Sequence, residues 1–545
     1  MRILAFNPAH DSSVCVLKNG KLEFFCKEER LSRIKRDNNP FKCFELYASL
    51  NLGPIDYFVY ATPSNHQTET RGFYYKYLEK KYGVREKFAE YGHHLSHAML
   101  AFVNSGFSEA LVFVIDRDGS VLILNDEPVA RESESVFHFN KNHGFRDIHK
   151  SHWLMKDLAR KHLVHDYIQS LYPNSKVKVY NPYSIVKVYE AATTLIGQNP
   201  LENGKTMGLS SYGEDLDYPP LFIGDISLSH NFTTLPTDQV CFFNEQHLIT
   251  NDINEENYQH YANRAKQVQL QTQEQALKLI AEYTEMTGIH NVCIVGGYGL
   301  NVVANNFYLK HLPHISFYFE PVADDTGVPI GAAMIKHWEE TNQFPNKFKD
   351  NFYHYFDASE KVKVGTKANI NKLVSLLESG KSVAIFEGHP EAGPRALGHR
   401  SILFDARNPR AKEIVNRIKK REWYRPFAGV ILKSEFENYF HNLGLSESPY
   451  MTVNFDATEQ TKQLVPGIIH VDGTCRIQTV SNGFLCDLLK AFHKKTNCPM
   501  MLNTSFNLAG EPLVQTKADA IKTFENSELD ALFFVKEGKI LTKSK

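Results

Sequence analysis

The sequence contains few of the features that would place the chain outside the ordinary globular class. Its longer apolar runs, such as ALVFVI (110–115) and AMLAFV (98–103), have six residues, well below the roughly 18 that a membrane-spanning helix needs. The opening stretch MRILAFNPAHDSS is interrupted by Asn7, His10 and Asp11, so it does not have the form of a signal peptide. We therefore expect a cytoplasmic protein that does not associate with a membrane.

Cysteine pairs and an excess of one charge are also missing. The eight cysteines are scattered and form no CxxC pair, which argues against a structural zinc site and against a disulfide framework. Lys and Arg total 61 against 62 Asp and Glu, giving a net charge of −1. This balance provides no general attraction to nucleic acid, so any such preference must be local.

What the sequence does contain is an alternation of strand and helix patterns. Buried-strand patterns occur at RILAF (2–6), ALVFVID (110–116) and NVCIVGG (291–297). The stretch EQALKLIAEYTEMTG (274–288) has helical spacing and ends at Gly288, where a helix-terminating glycine belongs. This alternation predicts an α/β fold.

The length indicates more than one domain. A chain of 545 residues is too long for a single hydrophobic core. The polar, weakly periodic stretch 336–365 predicts a connection near residue 350, and a second strand-and-helix series runs from 381–388 to 498–506. We therefore predict domains at 1–350 and 351–545, and we find no internal repeat in the sequence.

Three histidines are crowded into YGHHLSHAML (91–100). If a helix begins near residue 93, His93 and His97 are four residues apart and project from the same face, close enough to share one metal ion, whereas His94 points elsewhere. An HxxxH pair alone is equally compatible with a structural or surface role. The sequence therefore needs further ligands before a metal site is indicated.

Aspartates at predicted strand ends supply such ligands. Asp116 and Asp118 follow a buried strand in VIDRDGS (114–120), and Asp324 and Asp325 precede a glycine-rich helix start in EPVADDTGVPIGAA (320–333). Carboxylates beside two imidazoles would form a mixed N/O site for iron(II), manganese or zinc. The alternative is that these aspartates serve only as caps and turn residues.

Glycine-rich segments suggest a nucleotide site. GGYGLN (296–301) follows a predicted strand, and NGKTMGLSSYG (203–213) combines glycines with Lys205. Backbone can approach a phosphate closely where glycine removes the side chain. Neither segment matches the P-loop pattern, and each is also compatible with a tight structural turn.

Cationic residues are interleaved with glycine and proline in the carboxy-terminal part. Separate guanidinium groups can hold and orient a small, doubly charged phosphate, whereas solvated surface charge would not explain the glycines and prolines among them. The polar residues of this region are Arg395, His399, Arg400, Lys420, Arg421, Arg425, His470, Arg476, Asn503, Ser505 and Asn507.

The motifs together resemble one family. NPAHDSS, KEERLSRIK, HHLSHA, VIDRDG, GKTMGLSSYG, DDTGVPIGAA, GPRALGHRS, REWYRPFA, HVDGTCRIQTV and NTSFNLAGEPLV occur in the order found in the O-carbamoyltransferases of nodulation-factor and tobramycin biosynthesis. The resemblance implies an amino-terminal domain of the actin-like ATPase superfamily, similar to the catalytic subunit of tRNA threonylcarbamoyl transferase. It implies a carboxy-terminal α/β domain similar to threonylcarbamoyl-adenylate synthase.

The resemblance also implies a reaction in two steps. In the second domain, carbamoyl phosphate would give carbamate, which attacks ATP to form carbamoyl adenylate and pyrophosphate, with Mg²⁺ accompanying ATP. In the first domain, an acceptor hydroxyl would take the carbamoyl group and AMP would leave. By motif match, His93, His97, Asp116 and Asp325 would hold iron(II) or another divalent metal.

Further roles follow from the same motif match. His10 would act as a base near the acceptor hydroxyl, and Lys35 would bind nearby phosphate. Arg395, Lys420 and Arg476 would bind carbamoyl phosphate or ATP phosphates, Arg425, Asn503 and Ser505 would complete that pocket, and Lys205, Gly296, Gly297 and Asn301 would lie by the nucleotide in the first domain.

The acceptor is the least determined part of this hypothesis. The segment 141–180 is rich in cations, with Trp153, Tyr167, Tyr172 and Tyr180 interleaved, and such a strip could bind DNA phosphates and stack on an extruded base. We therefore favour the hydroxymethyl group of 5-hydroxymethylcytosine in DNA as acceptor. A small-molecule alcohol, a basic surface helix without this role, a non-enzymatic nucleotide-binding interaction protein and a homodimer stay open.

Overall fold

A computed structural model describes most of the chain. The described residues are 1–61, 68–82, 88–155, 161–180, 184–223, 227–228, 232–234, 241–243, 253–254, 256–348 and 364–543. Among the helices within these ranges, none combines the length and the apolar character that crossing a membrane requires.

The chain forms two compact units. The first consists of Met1–Phe24 and Asn38–Lys349, and the second of Phe25–Asp37 and Asp350–Lys545. The predicted 1–350 domain contained residues 25–37, which belong to the second unit in the structure. Within that unit, the Arg33 guanidinium donates to the carbonyl groups of Leu513 and Pro512 at 2.7 and 3.0 Å.

The strands alternate with helices, so the α/β prediction is confirmed. The strands are β1 Arg2–Asn7, β2 Ser13–Lys18, β3 Lys21–Lys27, β4 Tyr57–Tyr60, β5 Phe88–Glu90, β6 Glu109–Ile115, β7 Val121–Leu124, β8 Glu127–Asn140, β9 Gly144–Leu154, β10 Lys176–Tyr180, β11 Phe222–Ile223, β12 Ser227–Leu228, β13 Phe232–Thr234, β14 Cys241–Phe243, β15 Asn291–Val295, β16 Ser316–Phe319, β17 Thr366–Lys367, β18 Val383–Phe386, β19 Arg400–Phe404, β20 Ala428–Leu432, β21 Asn454–Asp456, β22 Thr474–Val480, β23 Met500–Ser505, β24 Ala531–Phe534 and β25 Lys539–Thr542.

The helices complete both units. They are α1 Glu28–Ser32, α2 Phe41–Ser49, α3 Thr68–Tyr82, α4 His93–Ser105, α5 Lys161–Leu171, α6 Ile185–Leu195, α7 Asn203–Ser210, α8 Tyr258–Thr287, α9 Val302–His311, α10 Val328–Thr341, α11 Ile370–Glu378, α12 Ala411–Lys419, α13 Phe436–Tyr439, α14 Glu459–Leu464, α15 Gly483–Thr496 and α16 Lys517–Glu525.

Two sheets of the first unit share one pattern of connections. One has the order β3-β2-β1-β4-β5 and the other the order β10-β9-β8-β6-β15-β16. In one sheet, β1 pairs antiparallel with β2 and parallel with β4. In the other, β6 pairs antiparallel with β8 and parallel with β15. Ligands of α/β sheets bind at such switch points, outside the carboxyl ends of the strands.

The predicted strands and the predicted helix are confirmed with small differences in their ends. β1 is buried along its whole length, as expected for a strand between layers. The predicted helix 274–288 is the last part of α8, which ends where Gly288 takes a left-handed φ of 67°.

The second unit is built on a sheet with the order β17-β25-β24-β18-β19-β23-β20-β22-β21. Ala428 on β20 pairs with Arg476 on β22 and with Asn503 on β23. The sheet therefore brings these two predicted site residues to positions on either side of one strand.

Helices α4 and α10 approach each other very closely in the first unit. A Cβ atom placed on Gly331 of α10 would lie only 1.8 Å from the carbonyl oxygen of Ser96 on α4. Only glycine permits this approach without a shift of one backbone against the other. The contact matters because α4 carries the histidine pair and the residues just before α10 carry Asp325.

We predict that Gly331→Ala destabilises the first unit by about 1–3 kcal/mol, because the added methyl group forces α4 and α10 apart. Gly204→Ala is the matched control. Gly204 is exposed in α7, has nothing within 4 Å of the position that an added methyl group would take, and its replacement should be neutral or stabilising by up to about 1 kcal/mol. Thermal unfolding followed by circular dichroism measures both. Equal midpoints for the two variants would show that the helix approach is not a constraint.

Candidate metal centre and anion-binding site

Four predicted ligands converge in the first unit. His93 lies in the first turn of α4 and His97 one turn later, Asp116 follows β6, and Asp325 begins a short 3₁₀ turn before α10. One possible ligand atom from each lies within 4.8 Å of the other three, and all four residues are buried. The fold therefore brings together the residues that the sequence proposed for a metal ion.

The distances show that the four side chains face one point. His93 Nε2 lies 3.1 Å from Asp116 Oδ2 and 3.4 Å from Asp325 Oδ1, and His97 Nε2 lies 3.7 Å from each of the same two oxygens. His97 Nε2 is buried without a hydrogen-bond partner, which is costly for a polar atom. Two imidazoles and two carboxylates in this arrangement fit a divalent transition-metal ion.

The charges of the cluster lead to the same interpretation. Burial lowers the pKa of His93, but Asp325 and Asp116 outweigh it and raise that pKa to about 10. Burial raises the pKa of Asp116, but the hydrogen bond from His93 and the charges of His97 and His93 together outweigh it and lower that pKa to about 2. The two buried carboxylates therefore need positive charge nearby to compensate their own. A divalent ion would supply it in place of the His93 proton.

Backbone groups fix the orientation of Asp116. The N–H groups of Arg117 and Gly297 donate to Asp116 Oδ1 at 2.8 and 3.0 Å, which leaves Oδ2 for the imidazoles. Gly296 has a φ of 86°, and a Cβ atom there would lie 2.5 Å from the Ile115 carbonyl oxygen. Gly296 and Gly297 thus have a clear structural task here, and their contact with a nucleotide stays a prediction.

The carboxyl end of β1 reaches the same cluster. His10 Nε2 lies 3.6 Å from Asp325 Oδ2, and the Asn7 side chain donates to the Asp325 carbonyl at 3.4 Å. Burial lowers the pKa of His10, but Asp325 and Asp11 outweigh it and raise that pKa to about 9. His10 is partly exposed, and its role as a base stays a prediction.

The other residues predicted for the first domain have different contacts. Asn301 caps α9 by accepting from Ala304 N at 3.1 Å and exchanges hydrogen bonds with Gln269. Lys205 Nζ lies 3.0 Å from Glu202 and donates to Gln198. Lys35 is exposed and belongs to the second unit. The binding roles of these three residues stay predictions.

A second group of predicted residues meets in the carboxy-terminal unit. Asn503 on β23 donates to the carbonyl of Ala396, next to Arg395, at 3.3 Å. Asn416 donates to the carbonyls of Trp423 and Arg425 at 3.2 and 3.0 Å and so fixes the segment after α12. The first contact holds the loop that carries Arg395 at β23, and the others hold the loop that carries Arg425 against α12. The charges of Arg395 and Arg425 both act on Arg476.

Lys419, adjacent in the chain to the predicted Lys420, is the lysine that contacts this group of residues, through Ser505. Lys419 Nζ is buried and donates to the backbone carbonyls of Ser505 and Asn507, to Ser505 Oγ at 3.2 Å and to Asn507 Oδ1 at 3.0 Å, so it holds the segment at the end of β23. Lys420 is exposed and ends α12 with a φ of 53°. Helical periodicity could have found this difference, because Lys419 lies four residues after the buried Val415.

Positive charge is concentrated in this group of residues. Burial, followed by Arg425 and Arg476, holds the pKa of Arg421 well below its ordinary value. Burial, followed by Arg395, does the same to Arg476. The Nε atoms of Arg421 and Arg476 are buried without hydrogen-bond partners. Such an arrangement fits a bound anion with several oxygens.

Arg400 has a different task from its neighbours. It is fully buried and donates to the carbonyl groups of Glu387, Gly388, His399 and Gln515. It therefore holds backbone segments together rather than facing a ligand.

Part of the segment 141–180, which the structure describes at 141–155 and 161–180, is buried in the first unit. It forms β9, α5 and β10, and its residues Trp153 and Tyr180 are 3% and 4% exposed. Lys150 is also buried, with its ammonium 2.7 Å from Glu132. Trp153 and Tyr180 therefore do not offer the expected stacking surface, because they are buried in β9 and β10, whereas Tyr167 and Tyr172 are partly exposed.

Comparison with known proteins agrees with the resemblance inferred from the motifs. The family models for the carbamoyltransferase N-terminus and C-terminus match residues 70–334 and 374–540. The nodulation protein NolNO of Sinorhizobium fredii is 27% identical over 96% of this chain and 78% of its own length. The nodulation protein NolO of Bradyrhizobium diazoefficiens is 29% identical over 81% of this chain and 77% of its own length.

The motifs, the converging residues and these matches define a group-transferring enzyme. The chain belongs to the carbamoyltransferase family. Among solved structures, full-length HypF in a phosphate- and nucleotide-bound form is 15% identical, covering 62% of this chain and 55% of its own, with a TM-score of 0.38. A likeness of this degree carries no argument about the site.

We predict that Lys419→Met weakens the binding of inorganic pyrophosphate to the full chain by about tenfold or more, because the charge-assisted contacts that hold Ser505 and Asn507 in place are lost. Lys420→Met should bind pyrophosphate like the unaltered protein, since its side chain is exposed. Isothermal titration calorimetry measures both. The assignment would be reversed if Lys420→Met alone weakened binding.

Proposed function

We propose that the protein is an ATP-dependent O-carbamoyltransferase whose two units each perform one half of the reaction. The observation that carries this proposal is the separation of two kinds of chemistry along the chain. The first unit gathers carboxylates and imidazoles around one point, whereas the second gathers guanidinium and ammonium groups. The first suits a metal ion and the second suits phosphates.

The second unit would form the activated carbamoyl donor. Carbamoyl phosphate and water would give carbamate and phosphate, and a carbamate oxygen would then attack the α-phosphorus of ATP, with pyrophosphate leaving. Developing negative charge on the phosphates would be met by fixed cations, with Mg²⁺ accompanying ATP. The residues proposed for this pocket are Arg395, Arg425, Arg476, Asn503 and Ser505, with Lys419 holding Ser505 in place.

The first unit would transfer the carbamoyl group. His93, His97, Asp116 and Asp325 would hold a divalent ion, with iron(II), manganese and zinc as candidates from the donor set. The bound ion would supply Lewis acidity toward the adenylate. His10 lies beside Asp325 and would take the proton of the acceptor hydroxyl at Nδ1 or Nε2 as its oxygen bonds to the carbamoyl carbon and AMP leaves.

We propose a small-molecule alcohol as the acceptor. The DNA hypothesis depended on a basic strip with stacking aromatics, and Trp153, Tyr180 and Lys150 are buried. A hydroxyl of a small sugar or related compound needs no such strip. A cytoplasmic location, where ATP and carbamoyl phosphate are available, is part of the same proposal.

We predict that the two half-reactions can be separated by mutation. Arg395→Ala should abolish release of pyrophosphate dependent on carbamoyl phosphate, whereas His97→Ala should retain that release and lose carbamoyl transfer. His138→Ala, a histidine paired with Glu109 away from the cluster, should retain both. Coupled pyrophosphate detection and mass spectrometry of the products measure the two steps.

The outcomes distinguish the parts of the proposal. Loss of pyrophosphate release in both Arg395→Ala and His97→Ala would contradict the division of labour between the units. Addition of a carbamoyl group to small alcohols would support the proposed acceptor. Carbamoylation of 5-hydroxymethylcytosine in DNA, without modification of small alcohols, would replace it.

A further inference from the structure

Lys150 is a buried cation in the sheet of the first unit. On β9, its ammonium lies 2.7 Å from Glu132 and 2.9 Å from Asp147 and over the rings of Phe137 and Tyr172. Lys150 and Glu132 are each only 3% exposed. Desolvation offsets much of the attraction within such a pair, so stability alone is a poor reason for it.

Glu132 is hydrogen-bonded to the segment that follows the proposed ligand Asp116. Gly119 N donates to the Glu132 carbonyl at 2.7 Å, and Glu132 N donates to the Ser120 carbonyl at 3.1 Å. The Glu132 carboxylate also accepts from Ser120 N at 3.3 Å. One residue therefore holds both Gly119 and Ser120, three to four positions after Asp116.

Ser120 in turn caps the helix that carries the histidine pair. Helix α4 has Gly92 at its N-cap position, where no side chain is available. The Ser120 hydroxyl accepts instead from the backbone N–H of His93 at 3.2 Å, one of the helix-terminal donors that need a partner. Glu132 is thus connected to His93 through Ser120.

His94, for which the sequence suggested no role, is also connected to Glu132. Its Nδ1 lies 2.9 Å from Ser135 Oγ, and that hydroxyl donates to Glu132 Oε1 at 3.0 Å. Because serine has one hydroxyl proton, His94 Nδ1–H must be the donor to Ser135. Burial lowers the pKa of His94 to about 3, and a Cβ atom on Gly119 would lie 2.5 Å from its Nε2.

We propose that Glu132, Lys150, Ser135 and His94 form a positioning network that fixes His93 and Asp116 for metal binding. Glu132 is the residue that the others share. It holds the segment after Asp116, and it is connected to His93 through Ser120 and to His94 through Ser135. Lys150 supplies the charge that keeps the buried Glu132 carboxylate in place. This inference rests on the metal role proposed for the first unit.

Cobalt(II) titration of the full-length, metal-stripped protein tests the network, with visible absorption as the spectroscopic report of ligand geometry. We expect Glu132→Gln and Lys150→Met to lower the cobalt affinity by about 10–100-fold, as changes to groups that orient metal ligands do, and to alter the absorption bands. Ser135→Ala, a milder change that removes one hydroxyl, should lower the affinity about tenfold. Lys176→Met is the matched control, because Lys176 is an exposed lysine of the adjacent strand paired with Glu282.

The variants separate failure of the network from failure of the metal site. If the unaltered protein binds no cobalt and His97→Ala behaves identically, the proposed metal role itself is contradicted. If the unaltered protein binds cobalt and all three network variants, compared per folded molecule, keep its affinity and spectrum, the network is overturned. Should Lys150→Met fail to fold, Glu132→Gln and Ser135→Ala decide the question alone.

Discussion

The burial of two carboxylates at one point is the constraint on which the first unit depends. Asp116 and Asp325 are 5% and 6% exposed, and charges removed from water need opposite charge and hydrogen bonds in compensation. The surrounding elements provide both. Backbone N–H groups after β6 and β15 hold one oxygen of Asp116, α4 brings two imidazoles, and the end of β1 brings His10 and Asn7 to Asp325.

The topology explains why these elements meet. In the two principal sheets of the first unit, β1 and β6 each have an antiparallel neighbour on one side and a parallel neighbour on the other. Asp116 follows β6 and Asn7 ends β1, so both lie at carboxyl ends where the strand order changes direction. The same arrangement occurs twice in a chain whose sequence contains no visible repeat, because a topology constrains hydrophobic pattern and connection length more than residue identity.

Local patterns in the sequence predicted much of this structure. The strand RILAF, the start of α4 and the glycine that ends α8 depend on neighbours in the chain, and all three are found. The resemblance to the family, by motif match, also selected the four residues that converge. Lys419 was missed because adjacent lysines look alike until the buried face of α12 distinguishes them.

Long-range packing accounts for the remaining differences. Phe25–Asp37 belongs to the second unit, where Arg33 donates to the carbonyl groups of Leu513 and Pro512. No local pattern reveals such a long-range contact. Cations and aromatics in 141–180 suggested an exposed strip, yet pairing of β9 with β8 and β10 buries Lys150, Trp153 and Tyr180. His94 is adjacent in sequence to a proposed ligand and hydrogen-bonded to a different strand.

The claim that the first unit is built around a metal ion is tested most directly by anomalous diffraction. Crystals of the full-length protein, measured above and below the absorption edge of the metal found in it, should show one peak within about 2.0–2.2 Å of a nitrogen of His93 and His97 and an oxygen of Asp116 and Asp325. A peak elsewhere, or an ordered cluster in which the imidazoles bind the carboxylates directly with no anomalous signal in metal-loaded crystals, would contradict the account.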